Sequence, residues 1–148
     1  MGADLVTFPE AYGLEAITGS FEPFVSPVGS RPCAAGRPDV QSAPQQSRLA
    51  CSAKKYNVSI VANIFVALPA GRTTAESRNI TAKRIMSIVY DATGAVVATY
   101  AKHHLVPLAE SSFATPGPFA PTVFDLGGVR YGIIICYEGV YPIYWGDW

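Results

Sequence analysis

Val58 to Ala67 is an almost unbroken apolar run, and it stands between a helix-period segment and two further apolar runs. A run of that length, rich in β-branched residues, reads as a strand buried on at least one face, which restricts the chain to layered folds. Upstream, Leu49, Ala50, Ala53 and Tyr56 recur at helical intervals behind Ser42 and Gln45 at capping-box spacing. That pattern predicts a helix from Pro44 to Tyr56 with one face buried. Downstream, Arg84 to Tyr90 and Val96 to Lys102 read as a hairpin closed by Asp91-Ala92-Thr93-Gly94, where Gly94 is free to take positive φ. Leu5-Val6-Thr7-Phe8 reads as a buried strand that Pro9 ends, because proline cannot donate to a ladder. A loop carrying Pro107, Pro116, Pro118 and Pro121 leads to a strand over Thr122 to Asp125, a Gly127-Gly128 turn and a last strand ending at Cys136. Strand, helix, strand and hairpins together predict an α/β fold with a mixed sheet. Residues 18–44, rich in Pro, Gly and Ser, read as a long irregular loop, Tyr141 to Trp145 as the entry to a helix, and no internal repeat is present.

At 148 residues, with 49% hydrophobic and 15% charged residues, the chain has the composition of one globular domain able to bury a core. A net charge of zero and a pI near 6.7 remove the electrostatic case for nucleic acid or an anionic membrane, leaving a small molecule or another protein as partner. No run approaches the roughly 18 apolar residues of a bilayer crossing. The N-terminus lacks the basic flank and apolar stretch of a signal peptide, and Val6 stands where a myristoylation pattern wants Ser or Thr. Of the three cysteines, Cys33 and Cys51 lie in or near the Pro/Gly/Ser-rich stretch and Cys136 follows a strand. If the first two pair, the third is left free; in a reducing compartment all three are free thiols. The acceptor sequons at Asn57 and Asn79 lean towards a secretory, extracellular-facing protein.

Three chemistry-bearing residues each follow a β-rich run: Glu10, Lys102 and Cys136. Strand tips that converge at one sheet edge are where α/β folds place ligands. In such a cluster Glu10 can take the thiol proton, Cys136 can attack an amide carbonyl, and Lys102 with the backbone N–H of Tyr137 can stabilise the oxyanion. Each residue also has a plainer fate: Cys136 as a small buried hydrophobe, Glu10 as a loop acid, Lys102 as a surface charge. His103 and His104 lie on opposite sides of extended chain, with no nearby residues to complete a ligand set, so no metal or other cofactor is expected. They read as packing or pocket-rim residues, with a Cys–His pair as the alternative catalytic scheme. Tyr12, Tyr137 and Tyr141 read either as pocket lining or as core.

Phe8-Pro9-Glu10, Tyr100-Ala101-Lys102-His103-His104-Leu105 and Ile135-Cys136-Tyr137-Glu138 together resemble the three motifs of the nitrilase superfamily of carbon–nitrogen hydrolases. The resemblance implies part of a four-layer α-β-β-α sandwich and a small-molecule amide substrate. It also implies a triad of Glu10 as general base, Lys102 as oxyanion stabiliser and Cys136 as nucleophile, with Glu110 as a supporting acid. Arg48 to Lys55 and Ile60 to Ile64, with Cys33 upstream of Cys51, are similar to the secreted or membrane-anchored biotinidase and pantetheinase (vanin) branch, although Tyr137-Glu138 replaces its common Phe-Asp. Lys102 to Pro107 and Ile135 to Pro142 are also similar to apolipoprotein N-acyltransferase, which passes the acyl group to an amine. The paired upstream cysteines and the sequons favour the first branch. The resemblance covers nearly all of residues 1–148 but only part of the family's domain, so the chain reads as truncated at both ends. The competing class is a non-catalytic scaffold. The 148-residue chain alone is therefore expected to be inactive or poorly folded, with unpaired strand edges in water; a cooperative melt accompanied by amidase turnover would overturn this.

Overall fold

Alternation within the apolar runs decides the layers. The computed structural model describes residues 2–10, 21–36, 38, 43–68 and 82–144; Tyr12, Ser42, Gly71, Asn79 and Trp145 lie outside the described residues. Strands β1 (Leu5–Thr7), β2 (Ser59–Leu68), β3 (Ala82–Tyr90) and β4 (Val96–Ala101) form a four-stranded sheet in that order. It is mixed: β1 runs parallel to β2, while β2–β3 and β3–β4 are antiparallel. Helix α1 (Pro44–Tyr56) packs on one face, where Ala50 and Ala53 meet Ile60, Ala62, Ile64 and Val66 of β2 and Met86, Ile88 and Tyr90 of β3. On the opposite face a separate hairpin, β5 (Thr122–Leu126) and β6 (Val129–Ile133), brings Phe124 and Ile133 onto Val89, Ala98 and Tyr100. Both faces of the central strands are thus covered, which is why their sequences read as nearly continuous apolar runs. Burying one such isoleucine, Ile88 for example, contributes roughly 1.5–3 kcal/mol.

One irregularity in the sheet decides where the end of β4 points. Val89 pairs with Ala98 and Tyr90 with Val96, so the ladder carries an extra residue at Val97. A one-residue bulge reverses the facing of everything beyond it. Val96 therefore faces α1, while Ala98 and Tyr100 face the hairpin.

The helix has the predicted bounds, but its cap and buried face differ from the expectation. Its N-cap is Ala43, which makes no side-chain cap. Instead the carboxylate of Glu22 accepts the backbone N–H of Gln45 at 2.7 Å and the Gln46 side-chain amide at 3.3 Å, supplying negative charge to the helix start from 23 residues upstream. Tyr56 is exposed, and the buried face is Gln46, Ser47, Ala50 and Ala53, because the segment packed there presents polar backbone: Gln46 bonds Phe24 O and Ser26 N at 2.7 Å each. Cys33 and Cys51 are joined in a disulfide that fastens this segment to α1. Within the expected irregular loop, Glu22 makes an isolated parallel bridge to Val66, and Ala34–Gly36 form a 3-10 turn.

Gly94, in the β3–β4 turn, has φ +79°, and a Cβ there would lie 2.5 Å from the Ala50 carbonyl oxygen; Gly29, at φ +85°, has nothing within 4 Å. Gly94→Ala is therefore expected to lose more stability than Gly29→Ala. The latter should cost about 1 kcal/mol from its left-handed backbone alone, the former about 2–3 kcal/mol, as read by denaturant unfolding.

Candidate active site

Three separate backbone devices deliver Glu10, Lys102 and Cys136 to one place. Phe8 extends β1 by donating its N–H to Val61 O at 2.9 Å, after which Pro9 ends the pairing and leaves Glu10 beyond the strand tip. Lys102 follows β4 with the same parity as Tyr100, on the hairpin side of the sheet. Its N–H donates to Ile85 O at 2.9 Å, and its carbonyl accepts the Gly117 N–H at 2.8 Å. A Cβ on Gly117 would lie 2.5 Å from Ala101, so only glycine permits this approach.

The third device corrects the expected strand end at Cys136. β6 stops at Ile133, and Cys136 opens a 3-10 turn over Cys136–Val140 with φ +46°. A residue in the left-handed region cannot continue a ladder, so the chain turns sharply and leaves the thiol exposed. Tyr137 is the second residue of that turn, where a helical N–H has no partner within the helix.

At the junction Lys102, 1% exposed, donates to Glu10 Oε1 at 2.7 Å, to Glu10 Oε2 at 2.9 Å and to Glu110 Oε1 at 2.7 Å. Those bonds use all three ammonium protons. Glu110 is held in turn by the Val106 N–H, which donates to its Oε2 at 2.9 Å. The Cys136 thiol lies within the electrostatic reach of Glu10, Lys102 and Glu110. Burial of the sulfur pushes this thiol above its ordinary range, and the negative charge of Glu10 and Glu110 pushes the same way, against Lys102. Because the residue as a whole is exposed, solvent moderates the burial contribution, and the carboxylates are the firmer reason that the sulfur rests as a thiol.

His103 and His104 both use Nδ1 elsewhere. His103 Nδ1 lies 2.7 Å from Gly117 O, so this nitrogen carries the proton, and His104 Nδ1 lies 2.7 Å from the Tyr144 hydroxyl. The His104 ring stacks on Tyr141 at 4.0 Å, and Tyr141 meets Tyr137 edge-on at 5.5 Å, forming an aromatic wall beside the turn that carries Cys136. A cavity of about 210 Å³, lined by Thr7, Phe8, Asn63, Ser87 and Ile134 among others, lies between sheet and hairpin and is not lined by Glu10, Lys102 or Cys136.

Glu138 stands in the sequence as a member of the cysteine motif with no role of its own. It is fully buried and accepts five bonds: Tyr100 hydroxyl at 2.6 Å, His103 N–H at 2.7 Å, His104 N–H at 3.2 Å, Ile135 N–H at 2.9 Å and Tyr144 hydroxyl at 3.0 Å. The only signal in the sequence was an acid two residues after a cysteine, and its partners are up to 38 positions away.

Residues 1–146 match the family described as carbon–nitrogen hydrolase. The pantetheinase of Canis lupus familiaris is 30% identical over 96 residues, 64% of this chain and 18% of that protein. An amidase from Nesterenkonia sp. superposes with a TM-score of 0.63 at 24% identity, covering 97% of this chain and 46% of its own. A variant of the amidase from Nesterenkonia sp. AN1, with the acetamide moiety of fluoroacetamide added covalently at the active site cysteine, gives 0.63 at 23% identity, with coverages of 96% and 46%. The chain thus spans about half the length of these amidases and about a fifth of the pantetheinase.

The thiol's environment has a measurable sign. Alkylation of Cys136 by iodoacetamide should rise with pH through a midpoint above the roughly 8.5 of a free thiol, and Glu10→Gln should lower that midpoint by removing a negative neighbour. A midpoint at or below the free-thiol value in the unsubstituted chain would contradict this electrostatic picture.

Proposed function

This chain belongs to the carbon–nitrogen hydrolase family, and we propose that it carries the catalytic centre of an amidase working through a cysteine thioester. The observation that carries the reading is one buried ammonium shared by two carboxylates, with a thiol that feels the charge of both. In the first step Glu10 takes the Cys136 proton as the sulfur attacks the amide carbonyl. Protonation neutralises Glu10, which then no longer competes for two Lys102 protons, so one is released towards the forming oxyanion. The Tyr137 N–H is the second oxyanion donor. Glu110 holds Lys102 in place throughout. Collapse of the tetrahedral intermediate expels the amine, which leaves with the proton held on Glu10. Water then gives a proton to Glu10, attacks the thioester, and releases the acid with the thiol restored.

For substrate we propose a linear amide of the pantetheine or biotinyl type, supported by the partial likeness to the pantetheinase. The Cys33–Cys51 disulfide and the exposed sequon asparagine Asn57, in left-handed conformation just past α1, support a glycosylated protein facing an oxidising compartment. Among the described residues no helix is long and apolar enough to cross a membrane.

Incubation of residues 1–148, carried within a whole carbon–nitrogen hydrolase domain, with pantetheine and biotinyl amides followed by peptide mass spectrometry tests the chemistry. An acyl adduct is expected on the peptide containing Cys136 and is expected to vanish in Cys136→Ala. An undiminished adduct in that variant would reject the nucleophile assignment.

A further inference from the structure

Glu138 lies at the meeting point of the two segments that hold the candidate nucleophile and its ammonium. Its carboxylate has no solvent contact, and the nearby ammonium of Lys102 has spent its three protons on Glu10 and Glu110. What holds a carboxyl here is the set of donors around it. Three are backbone N–H groups, which cannot reverse their polarity, so the site is built for a side chain that accepts at both oxygens. Two of these donors, His103 and His104, directly follow Lys102, and the third, Ile135, directly precedes Cys136. The Glu138 N–H returns a bond to Ile135 O at 3.0 Å, closing the turn on which Cys136 sits. Tyr100 reaches the same carboxylate from β4 and Tyr144 from the turn that follows, with Tyr144 also meeting His104.

We infer that Glu138 is a positioning residue: one buried carboxylate bolts the chain beyond Lys102 to the chain before Cys136 and so fixes the spacing of thiol, Glu10 and ammonium. The inference rests on Cys136 as the nucleophile and Glu10 as its base. It differs from a merely structural role in one respect. A structural carboxylate, once removed, lowers stability but leaves the thiol of the folded molecules in its usual surroundings. A positioning carboxylate, once removed, lets the turn relax so that the thiol drifts from Glu10 and Glu110.

Glu138→Gln keeps the shape while presenting an amide NH2 to a ring of donors. Circular dichroism and the intact Cys33–Cys51 disulfide report whether the fold survives. In folded Glu138→Gln the midpoint of Cys136 alkylation should fall by about one pH unit, towards the free-thiol value. Thioester formation with an amide substrate should slow by about 100-fold, the order expected from misplacing a reacting group. In a Glu10→Gln background the further change at Glu138 should move the midpoint little, because the neighbour it controls is already gone. An unmoved midpoint in folded Glu138→Gln, or the same shift with and without Glu10, overturns the inference. If Glu10→Gln alone leaves the midpoint unmoved, the general-base reading falls and this inference with it; if only Glu138→Gln fails to act, the base reading stands. Should Glu138→Gln not fold, the paired Tyr100→Phe and Tyr144→Phe variant removes two donors and leaves the carboxylate. It should shift the midpoint the same way by less, and no shift there would equally overturn the proposal.

Discussion

A lysine with 1% of its surface exposed is the constraint around which the rest of the site is arranged. A buried ammonium is costly unless charge and hydrogen bonds meet it on every side, and leaving it unpaired would cost about 3–5 kcal/mol. Glu10 and Glu110 meet that demand from opposite sides in sequence, 92 residues before and 8 after. The pairing therefore ties the tip of β1 to the loop beyond β4 through electrostatics rather than through a ladder. The same arrangement sets two carboxylates against one cation beside the Cys136 thiol. A thiol beside such a pair has a ready acceptor for its hydrogen.

The sheet and helix were legible in the sequence because both depend on local periodicity. Val58 to Ala67 reads as a strand whether or not its partners are known, and Asp91 to Gly94 carries its own turn chemistry. The helix bounds followed from Pro44 and the apolar spacing. What stayed hidden depends on residues distant in the chain. Glu22 caps α1 from 23 positions away, and no local rule points to it. The bulge at Val97 is equally silent, yet a ladder paired regularly onward from Val96 would turn Tyr100 and Lys102 towards the helix.

The candidate site shows the same division. Glu10, Lys102 and Cys136 stood out as residue types after strands, and the structure brings them together. The conformation at Cys136 did not stand out, because an isoleucine run predicts continued extension. The ladder ends early where Glu138 captures the Ile135 N–H. A buried acid that accepts from two backbone segments and two tyrosines leaves no periodic trace in any one of them.

The left-handed backbone of Cys136 sets folding and chemistry against each other at a single position. A side chain in that region costs the folded state of order 1 kcal/mol, which glycine would not incur. The residue proposed as the nucleophile is thus also one at which glycine, which carries no thiol, would relieve the backbone. Backbone stability and the proposed chemistry therefore ask for different residues at position 136.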